Sequence, residues 1–410
     1  GTSTDAIGTV TLNALEESKN VSFVGDSTFN TLNVSADNGI SINGSVETVV
    51  GNLTLDADVD QTTLDNDKLY LEDGSTLTSA VNLELTAFQG AIESNGAVTL
   101  NSVGDMTINQ DVITDGTSRF SADTDGDGSG EFNLVATKTI TTQGNELHIE
   151  ASVLILDGSL NAGGSFVSLV ATNSAEIAVG DLSKEFTVSN TLANNELYRI
   201  TADQLFIGDE DANSIYVNNV LISDNSNIAN GLVLEAGLDD ASIDFGSNAS
   251  TFRAIEAKAD NGLVVNSTLT TTVGDLKLES NLNDDIDDNA ALSLLNASKL
   301  VSAKNIVLDA TTGGISSDSI LDLEADDDIT INDTLNILHA INLKADNDDL
   351  GNGLIITSGA ISSGGNDILL QASDIEISNS IDAGAGTITL TPTDNASIGL
   401  GSGIGDVQIT

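Results

Sequence analysis

Aliphatic and polar residues alternate in short segments along the whole chain. One five-residue phrase recurs, with aliphatic or aromatic side chains at its first and third positions, mostly polar ones between them, and usually Ala or Ser at the fifth. The phrase occurs at Val10–Ala14, Leu32–Ala36, Leu53–Ala57, Leu83–Ala87, Val98–Ser102, Phe132–Ala136, Leu147–Ala151, Val167–Ala171, Leu232–Ala236, Leu276–Ser280, Ile306–Ala310, Leu321–Ala325, Ile341–Ala345, Ile368–Ala372 and Ile388–Pro392. A period of two predicts β-strands with one buried face.

Further short strands are predicted between the phrases, for example at Ile40–Ile42, Met106–Ile108, Ile329–Ile331 and Ile375–Ile377. The phrases repeat about every 20 residues with irregular insertions, which gives two or three strands per repeat. Such a repeat cannot bury its apolar face alone, but it can do so as one coil stacked on its neighbours. The chain is therefore predicted to be all-β: a single right-handed parallel β-helix, or β-solenoid, of about 20 coils over residues 1–410.

Two other all-β folds compete with this prediction. A β-sandwich, or an array of small sandwiches, typically has longer strands, more aromatic core residues and more prolines. This chain has 10 Phe, 3 Tyr, no Trp and 1 Pro. A propeller is disfavoured because no aromatic-bearing repeat of about 40 residues is present. The solenoid remains the favoured fold.

The net charge of the chain limits the classes of partner that it can bind. The 63 acidic and 12 basic residues give a net charge of −51, so no basic surface is available for nucleic acid or for anionic lipid. No apolar run reaches the roughly 20 residues needed to cross a bilayer, so membrane insertion is not expected. With no Cys, disulfides and thiolate metal sites are excluded.

The ends of the sequence suggest a segment of a longer protein. The chain starts at Gly1-Thr2-Ser3, contains Met only at position 106, and ends within a strand-like pattern. We therefore expect any targeting signal to lie outside this sequence.

Two stretches resemble a known family. Ser380–Pro392, followed by Ala396–Gly401, is similar to a repeat of the filamentous haemagglutinin-like giant exoproteins of bacteria, and Leu192–Gly208 is similar to the segment that follows such a repeat. The resemblance implies a right-handed parallel β-helix that is exported to the cell surface, commonly by a two-partner route, and that serves adhesion or self-association. The amino-terminal secretion domain of that family is absent from this sequence.

An acidic Gly/Asp loop at 123–131 is the sharpest candidate site. Alternate oxygen-bearing side chains separated mainly by glycines suit a hard cation, so we predict that the loop holds a structural Ca²⁺ ion. The predicted ligands are Asp123, Asp125, Asp127, Ser129 and Glu131. The twelfth position of the loop is Leu134, where an EF-hand has Glu. Two interpretations of the loop therefore remain open: an isolated calcium-binding loop and a solvated acidic turn.

Further acidic clusters follow the aliphatic phrases. They comprise Asp56, Asp58 and Asp60; Asp284, Asp285, Asp287 and Asp288; Asp326, Asp327 and Asp328; and Asp346, Asp348 and Asp349. For each of these clusters, solvated turns at coil corners are favoured over cation sites.

No catalytic or cofactor-binding residues are predicted. An enzyme that cleaves acidic polysaccharides by elimination needs a cluster of cationic side chains to hold the carboxylates of its substrate. In this chain Arg119, Arg199 and Arg253 lie far apart in the sequence, and His148 and His339 stand alone. Few aromatic residues are present to stack sugars. Paired carboxylates could still hydrolyse acidic polysaccharide, so that activity remains a distant alternative.

The sequence thus predicts a non-enzymatic extracellular protein of the bacterial cell surface, a rigid rod-like adhesin or adhesin stalk. Its partner would be a host or bacterial surface receptor or glycan. The first alternative is a structural subunit that self-associates end to end into a fibre, sheath or surface layer, since an open solenoid end is an unpaired sheet edge.

Overall fold

The structure is a computed structural model. The structure describes residues 8–61, 67–181, 190–282, 290–311, 313–351, 353–393, 397–400 and 407–409. The chain divides into two compact units, Gly1–Ala175 with Ser189–Phe206 (unit 1) and Glu176–Val188 with Ile207–Thr410 (unit 2). The acidic cluster at 284–288 lies outside the described residues.

Unit 1 consists of short strands and one helical turn, α1 (Asn194–Leu197). Its strands are β1 (Thr9–Ala14), β2 (Val21–Val24), β3 (Ser27–Phe29), β4 (Thr31–Ala36), β5 (Ile40–Asn43), β6 (Ser45–Thr48), β7 (Leu53–Asp56), β8 (Leu69–Leu71), β9 (Ser75–Ser79), β10 (Leu83–Thr86), β11 (Ile92–Ser94), β12 (Val98–Ser102), β13 (Met106–Ile108), β14 (Val112–Thr114), β15 (Ser118–Ser121), β16 (Glu131–Leu134), β17 (Thr139–Thr141), β18 (Leu147–Ala151), β19 (Val153–Leu156), β20 (Ser159–Asn161), β21 (Val167–Ala171), β23 (Asn190–Leu192) and β24 (Ile200–Thr201).

Unit 2 is built in the same way. Its strands are β22 (Ile177–Gly180), β26 (Ile215–Asn218), β27 (Leu232–Ala236), β28 (Ile243–Phe245), β29 (Ser250–Phe252), β30 (Ile255–Ala259), β31 (Leu263–Val265), β32 (Leu269–Thr271), β33 (Leu276–Glu279), β34 (Leu292–Leu294), β35 (Lys299–Ser302), β36 (Ile306–Asp309), β37 (Ile315–Ser317), β38 (Leu321–Ala325), β39 (Ile329–Ile331), β40 (Leu335–Asn336), β41 (Ile341–Lys344), β42 (Leu354–Thr357), β43 (Ile361–Ser362), β44 (Ile368–Ala372), β45 (Asp374–Ile377), β46 (Ile381–Asp382), β47 (Ile388–Pro392), β48 (Ile398–Leu400) and β49 (Val407–Ile409). The boundary between the units falls within β25 (Leu205–Asp209).

Each unit is a stack of turns in which successive strands join three different sheets. In unit 1 the sheets run β1-β4-β7-β10-β13-β16-β19, β2-β5-β8-β11-β14-β17-β20-β24 and β3-β6-β9-β12-β15-β18-β21. In unit 2 they run β27-β30-β33-β36-β39-β42-β45, β22-β26-β28-β31-β34-β37-β40-β43-β46 and β29-β32-β35-β38-β41-β44-β47. The described strand pairs are parallel, for example β1 with β4 and β38 with β41.

The fold is therefore the predicted all-β parallel solenoid. It has about 16 turns, compared with the predicted 20 or so coils, because many turns are longer than 20 residues. Register partners Leu321 and Ile341 are 20 residues apart, whereas Leu53 and Leu83 are 30 apart. The helical turn α1 was not predicted from the sequence. The single continuous solenoid over residues 1–410 remains a prediction.

The core of each unit is a column of like side chains. Leu32, Leu53 and Leu83 are paired in register and are at most 1% exposed. Phe120 and Phe132 lie fully buried with their rings stacked at a centroid distance of 6.2 Å. Short aliphatic side chains fill the interior because three sheets enclose only a narrow space, and burial of their apolar surface stabilises each turn on its neighbours.

The fifth position of the phrase is also buried in most of its occurrences, although Ala136 is exposed, and burial there favours small residues. Ala57 and Ala87 fit without a polar side-chain atom. Ser102 at this position, and Ser302 at the end of β35 outside the phrases, are enclosed and use their hydroxyls. Each serine donates a hydrogen bond of 2.9 Å to the carbonyl three residues on. The hydroxyl is thereby paired inside the turn, as a second donor to a carbonyl that also accepts a backbone N–H, from Leu83 at Asp105 and from Leu276 at Asn305.

Candidate metal centre and hydrogen bonds between turns

The acidic loop joins β15 to β16 at the outside of unit 1. Its first residues are tied to the preceding turn, because Thr124 N donates to Ser102 O at 3.1 Å and Asp123 N donates to Gly104 O at 3.4 Å. Asp123 adopts a positive φ of 60°, a conformation that Asp tolerates better than most residues do. This backbone directs the loop away from the sheet and turns the Asp123 side chain inward.

Three of the predicted ligands come together. The carboxylates of Asp123, Asp125 and Asp127 each contribute an oxygen to a group in which all three oxygens lie within 4.8 Å of one another. Asp123 is 1% exposed, and Asp125 and Asp127 are exposed. Three carboxylates at this spacing suit a hard cation such as Ca²⁺.

The other two predicted ligands have different environments. Ser129 donates both its backbone N–H, at 3.0 Å, and its hydroxyl to Asp127 Oδ1. Glu131 is exposed at the start of β16, and its N–H donates to Asp105 Oδ1 at 3.0 Å. Ser129 thus supports an acidic side chain of the group, whereas the described contact of Glu131 ties β16 to the turn before it.

The Asp123 carboxylate already has partners within the protein. Gly128 N donates to Oδ1 at 3.1 Å and to Oδ2 at 3.2 Å, and the Thr172 hydroxyl donates to Oδ2 at 2.5 Å. Thr172 follows β21, two turns further along unit 1. Asp123 therefore holds its own loop closed and fixes it to a distant turn. A cation would share Asp123 with these donors and would depend mainly on Asp125 and Asp127.

The same arrangement recurs at Asp346 in unit 2. Asp346 is 1% exposed with a φ of 55°. Gly351 N donates to its Oδ1 at 2.8 Å, and the hydroxyl of Thr393, two turns on, donates to its Oδ2. We call this arrangement the Asp clasp. In it, the carboxylate of a buried Asp accepts hydrogen bonds from the N–H of the glycine five residues later and from the hydroxyl of a threonine two turns later.

Each Asp clasp also requires a second glycine. A Cβ on Gly130 would lie 2.3 Å from Asp123 N, and a Cβ on Gly353 would lie 2.1 Å from Asp346 N, so no larger residue fits at either position. The carbonyls of these glycines accept hydrogen bonds from the hydroxyls of Ser152, at 2.6 Å, and Ser373, at 2.8 Å, in the intervening turn. The two Asp clasps therefore span three turns each through equivalent contacts.

Sequence reasoning missed the Asp clasp, although a signal was available. The residues Asp-x₄-Gly-x-Gly occur at both Asp123–Gly130 and Asp346–Gly353. The outer acidic residues differ between the two loops, because Leu350 stands in the second where Asp127 stands in the first. The shared residues form the Asp clasp, and Asp127 distinguishes the candidate metal loop.

Other acidic residues also join turns rather than only facing water. Asp58 is 1% exposed and accepts N–H groups from Gln61 at 2.9 Å and from Gln89, in the next turn, at 2.5 Å. At Asp56 and Asp326 burial is the largest influence and raises the pKa of each carboxyl. The prediction that these clusters are merely solvated corners is incomplete, since Asp58 is enclosed.

Asn and Asp form a hydrogen-bonded ladder at the strand starts of unit 1. The Asn52 side-chain oxygen accepts Asn82 N at 3.3 Å, Asn82 accepts Asp105 N at 3.0 Å, and Asp105 accepts Glu131 N at 3.0 Å. Each oxygen satisfies an amide at the corner of the next turn. We call this set, Asn52, Asn82 and Asp105, the Asx ladder.

Unit 2 contains a hydrogen-bonded ladder of the same kind, at the starts of a different set of strands. Asp275 accepts Asn305 N at 3.3 Å, Asn305 accepts Asp328 N at 3.0 Å, and Asp328 accepts Leu354 N at 2.9 Å. Abundant Asn and Asp at corners thus provide acceptors between turns, which turn-forming propensity alone does not explain.

The sequence predicts scattered arginines and an isolated His148, but Arg119 and His148 are register partners on the adjacent strands β15 and β18. Arg199 donates to the carbonyls of Gly158 and Leu156 beside α1, and Arg253 donates to the carbonyl of Ala229. His148 faces outward, packs edge-on against Phe166 at 5.3 Å, and approaches the Glu146 carboxylate at 3.3 Å. These side chains hold neighbouring backbone or side chains in place.

The largest described ion-pair network lies on the outside of unit 2. Glu324 pairs with Lys299 at 2.5 Å and with Lys344 at 2.7 Å, and Asp322 lies 3.6 Å and 3.8 Å from the same two lysines. Burial raises the pKa of Glu324, but the hydrogen bonds and charges of the lysines outweigh it, so the pKa is lowered overall. The network links three successive strands, β35, β38 and β41.

Comparison with known proteins gives no match: no family model, curated protein or solved structure is similar to this chain. Among the described residues, no helix has the length and apolar character of a membrane span.

Proposed function

We propose that this chain is a non-enzymatic segment of an extracellular bacterial surface protein, in which it serves as an adhesin or as the stalk that carries one. The observation that supports this role is the double connection between successive turns, through stacked aliphatic side chains and through side-chain acceptors such as Asn82 and Asp105. A stack whose turns are each joined to the next is a suitable scaffold for a surface protein, because it can be lengthened without a new core.

The finer features of the fold belong to the same proposal. We assign a right-handed sense to the coil, because parallel strands joined by crossovers are right-handed in nearly all proteins. One continuous solenoid would extend over residues 1–410, and export by a two-partner route would place it at the cell surface. The absence of Cys is compatible with passage through a pore in an unfolded state.

Surface location and attachment can be tested together in the bacterium that makes the protein. Antibodies raised against the folded chain should label intact cells, and in-frame removal of residues 1–410 should reduce attachment to host cells or to neighbouring bacteria severalfold. A strain with the chain restored is the control. Labelling that requires permeabilised cells, or attachment that is unchanged by the removal, would contradict the proposal. Filaments of the purified chain would favour the alternative of a polymerising subunit.

A structural Ca²⁺ ion at the acidic loop is also part of the proposal. It is supported by the grouping of Asp123, Asp125 and Asp127 within 4.8 Å. Calorimetric titration with CaCl₂ should give a binding heat that Asp125→Ala with Asp127→Ala removes. The matched control is Asp348→Ala, in the loop of the second Asp clasp, which should leave the heat unchanged. The same titration for the double variant and the parent would remove calcium from the proposal.

A further inference from the structure

A groove lies on the outside of unit 1 beside the second sheet. Its volume is about 410 Å³, within the range of small-ligand sites. The side chains that line it come from four successive turns: Asn20, Asn38, Ser41, Lys68, Tyr70 and Glu93. The groove is separate from the acidic loop, which follows β15.

The groove exists because one turn carries Gly39 and Ser41 where the next turn carries the long side chains of Lys68 and Tyr70. Ser41 is the outward-facing partner of Tyr70 in register, and Gly39 precedes its strand at the place where Lys68 precedes the next. Gly39 has a φ of 87°, a conformation that glycine adopts readily and other residues rarely do. The missing side chain leaves a gap between Lys68 and Asn20.

The walls of the groove offer polar groups around an aromatic ring. Tyr70 is half-buried. Among the described residues, the Tyr70 and Ser41 hydroxyls and the Asn20 and Asn38 side-chain amides have no hydrogen-bond partner in the protein. These hydroxyls and amides can both donate and accept, so they match a ligand that has many hydroxyl groups. The ring supplies an apolar surface beside them.

Charge determines which hydroxylated ligand fits. Lys68 Nζ lies 2.7 Å from Glu93 Oε1, so the cation nearest the groove is already paired. The chain as a whole carries −51 and repels anions. A neutral ligand is therefore favoured over a uronic acid or a phosphate.

We propose that this groove binds a neutral hexose unit of a glycan, with the apolar face of the pyranose ring against Tyr70 and its hydroxyls on Asn20, Asn38 and Ser41. The assignment names a ligand class for the adhesin role and rests on that proposed function for its biological meaning. The binding itself is a property of unit 1 and can be measured without cells.

Saturation-transfer NMR on the full chain tests the proposal with methyl glucoside, methyl galactoside and methyl mannoside as probes. At least one should receive saturation and bind with a Kd in the millimolar range, and methyl glucuronide should bind at least fivefold more weakly. Ser41→Phe fills the groove from an outward-facing position and should abolish the transfer. Tyr70→Thr should weaken binding at least fivefold.

Thr99→Phe is the matched control, since Thr99 also faces outward on a strand of unit 1 and lies away from the groove. It should bind the probes as the parent does, and circular dichroism should match for all variants. No transfer to any of the three neutral probes, equal transfer in Ser41→Phe, or preferential binding of the glucuronide would overturn the proposal. If attachment of cells persists while the probes fail, the surface role stands and the groove assignment falls.

Discussion

At the scale of single residues, Asp123 has a structural task that is separable from any metal. Its carboxylate accepts Gly128 N–H and the Thr172 hydroxyl while only 1% of the residue is exposed. Asp123→Ala would remove both of these hydrogen bonds to a charged acceptor, and it should lower the free energy of unfolding by about 2–3 kcal/mol. Urea denaturation without calcium measures this change.

Asp125→Ala is the control for that measurement. Asp125 is exposed, so its replacement should change the free energy of unfolding by no more than about 0.5 kcal/mol in the absence of calcium. Equal urea midpoints for Asp123→Ala and Asp125→Ala would mean that the Asp clasp does not stabilise unit 1.

Glu324 gives a residue-scale prediction for pH. Burial opposes ionisation of this carboxyl, but Lys299 and Lys344 lower its pKa in the folded protein. A lowered folded-state pKa contributes stability above the unfolded-state pKa, and that contribution is lost as the pH falls through the folded-state value. Glu324→Gln should therefore cost about 1 kcal/mol at pH 7, and the difference from the parent should shrink in acid as the pH falls through the lowered folded-state pKa of Glu324.

Thermal unfolding at pH 7 and at pH 3 measures this effect. Glu376→Gln is the control, because Glu376 faces outward on β45 of the same unit and has no ion pair among the described residues. High salt should reduce the Glu324 effect at neutral pH. A difference between Glu324→Gln and the parent that is as large at pH 3 as at pH 7 would show that the lysine pairs are not its cause.

At the scale of elements, the Asx ladder positions one strand start on the next. Asn82 accepts Asp105 N–H at 3.0 Å, and its own N–H donates to Asn52. Asn82→Ala removes one acceptor and should cost about 1 kcal/mol. Hydrogen exchange measured by NMR or mass spectrometry should show faster exchange at the start of β13.

Asn101→Ala provides the comparison for the Asx ladder. Asn101 faces outward on β12, and its side chain has no hydrogen bond among the described residues, so its loss should be nearly neutral. Faster exchange spread over all three sheets of unit 1, rather than confined to the corner at Asp105, would contradict a local role for Asn82.

Strands could be predicted from the sequence because their evidence is local. The phrase at Leu83–Ala87 alternates with period two, and β10 (Leu83–Thr86) buries Leu83 and Leu85 as that alternation requires. The acidic loop was located for the same reason. The function of Asp123 could not be predicted, because its partner Thr172 is 49 residues away and two turns on. Because the insertions differ in length, the sequence does not show which residues lie above one another in successive turns.

The groove at Tyr70 illustrates the same limit. Asn20, Ser41 and Glu93 are ordinary polar residues in the sequence, and Tyr70 is one of only 3 tyrosines. They become neighbours only once the register between β5, β8 and β11 is known. Binding surfaces on a solenoid are assembled across turns, so a linear motif does not reveal them.

At the scale of the whole molecule, stability should depend on complete turns rather than on chain length. Deletion of Leu83–Ser102 together with the corner 103–105 removes β10, β11 and β12, one strand from each sheet of unit 1. The new junction joins Asn82 to Met106, which was already the register partner of Leu83. Asn82 then stands where Asp105 stood, and its side-chain oxygen can accept Glu131 N–H.

The complete-turn deletion should fold, with the unfolding midpoint lowered by only about 5 °C, because one interface between turns is lost and every remaining strand keeps its sheet. Deletion of Leu83–Gly96 removes fewer residues but takes out β10 and β11 and leaves β12, so the strands that follow would have to change sheets. That shorter deletion should be far more destabilising, by more than about 15 °C, or should prevent folding. Circular dichroism during heating measures both midpoints. If the shorter deletion proved the milder one, the turns would not be the cooperative units of this fold, since stability would then follow the number of residues removed.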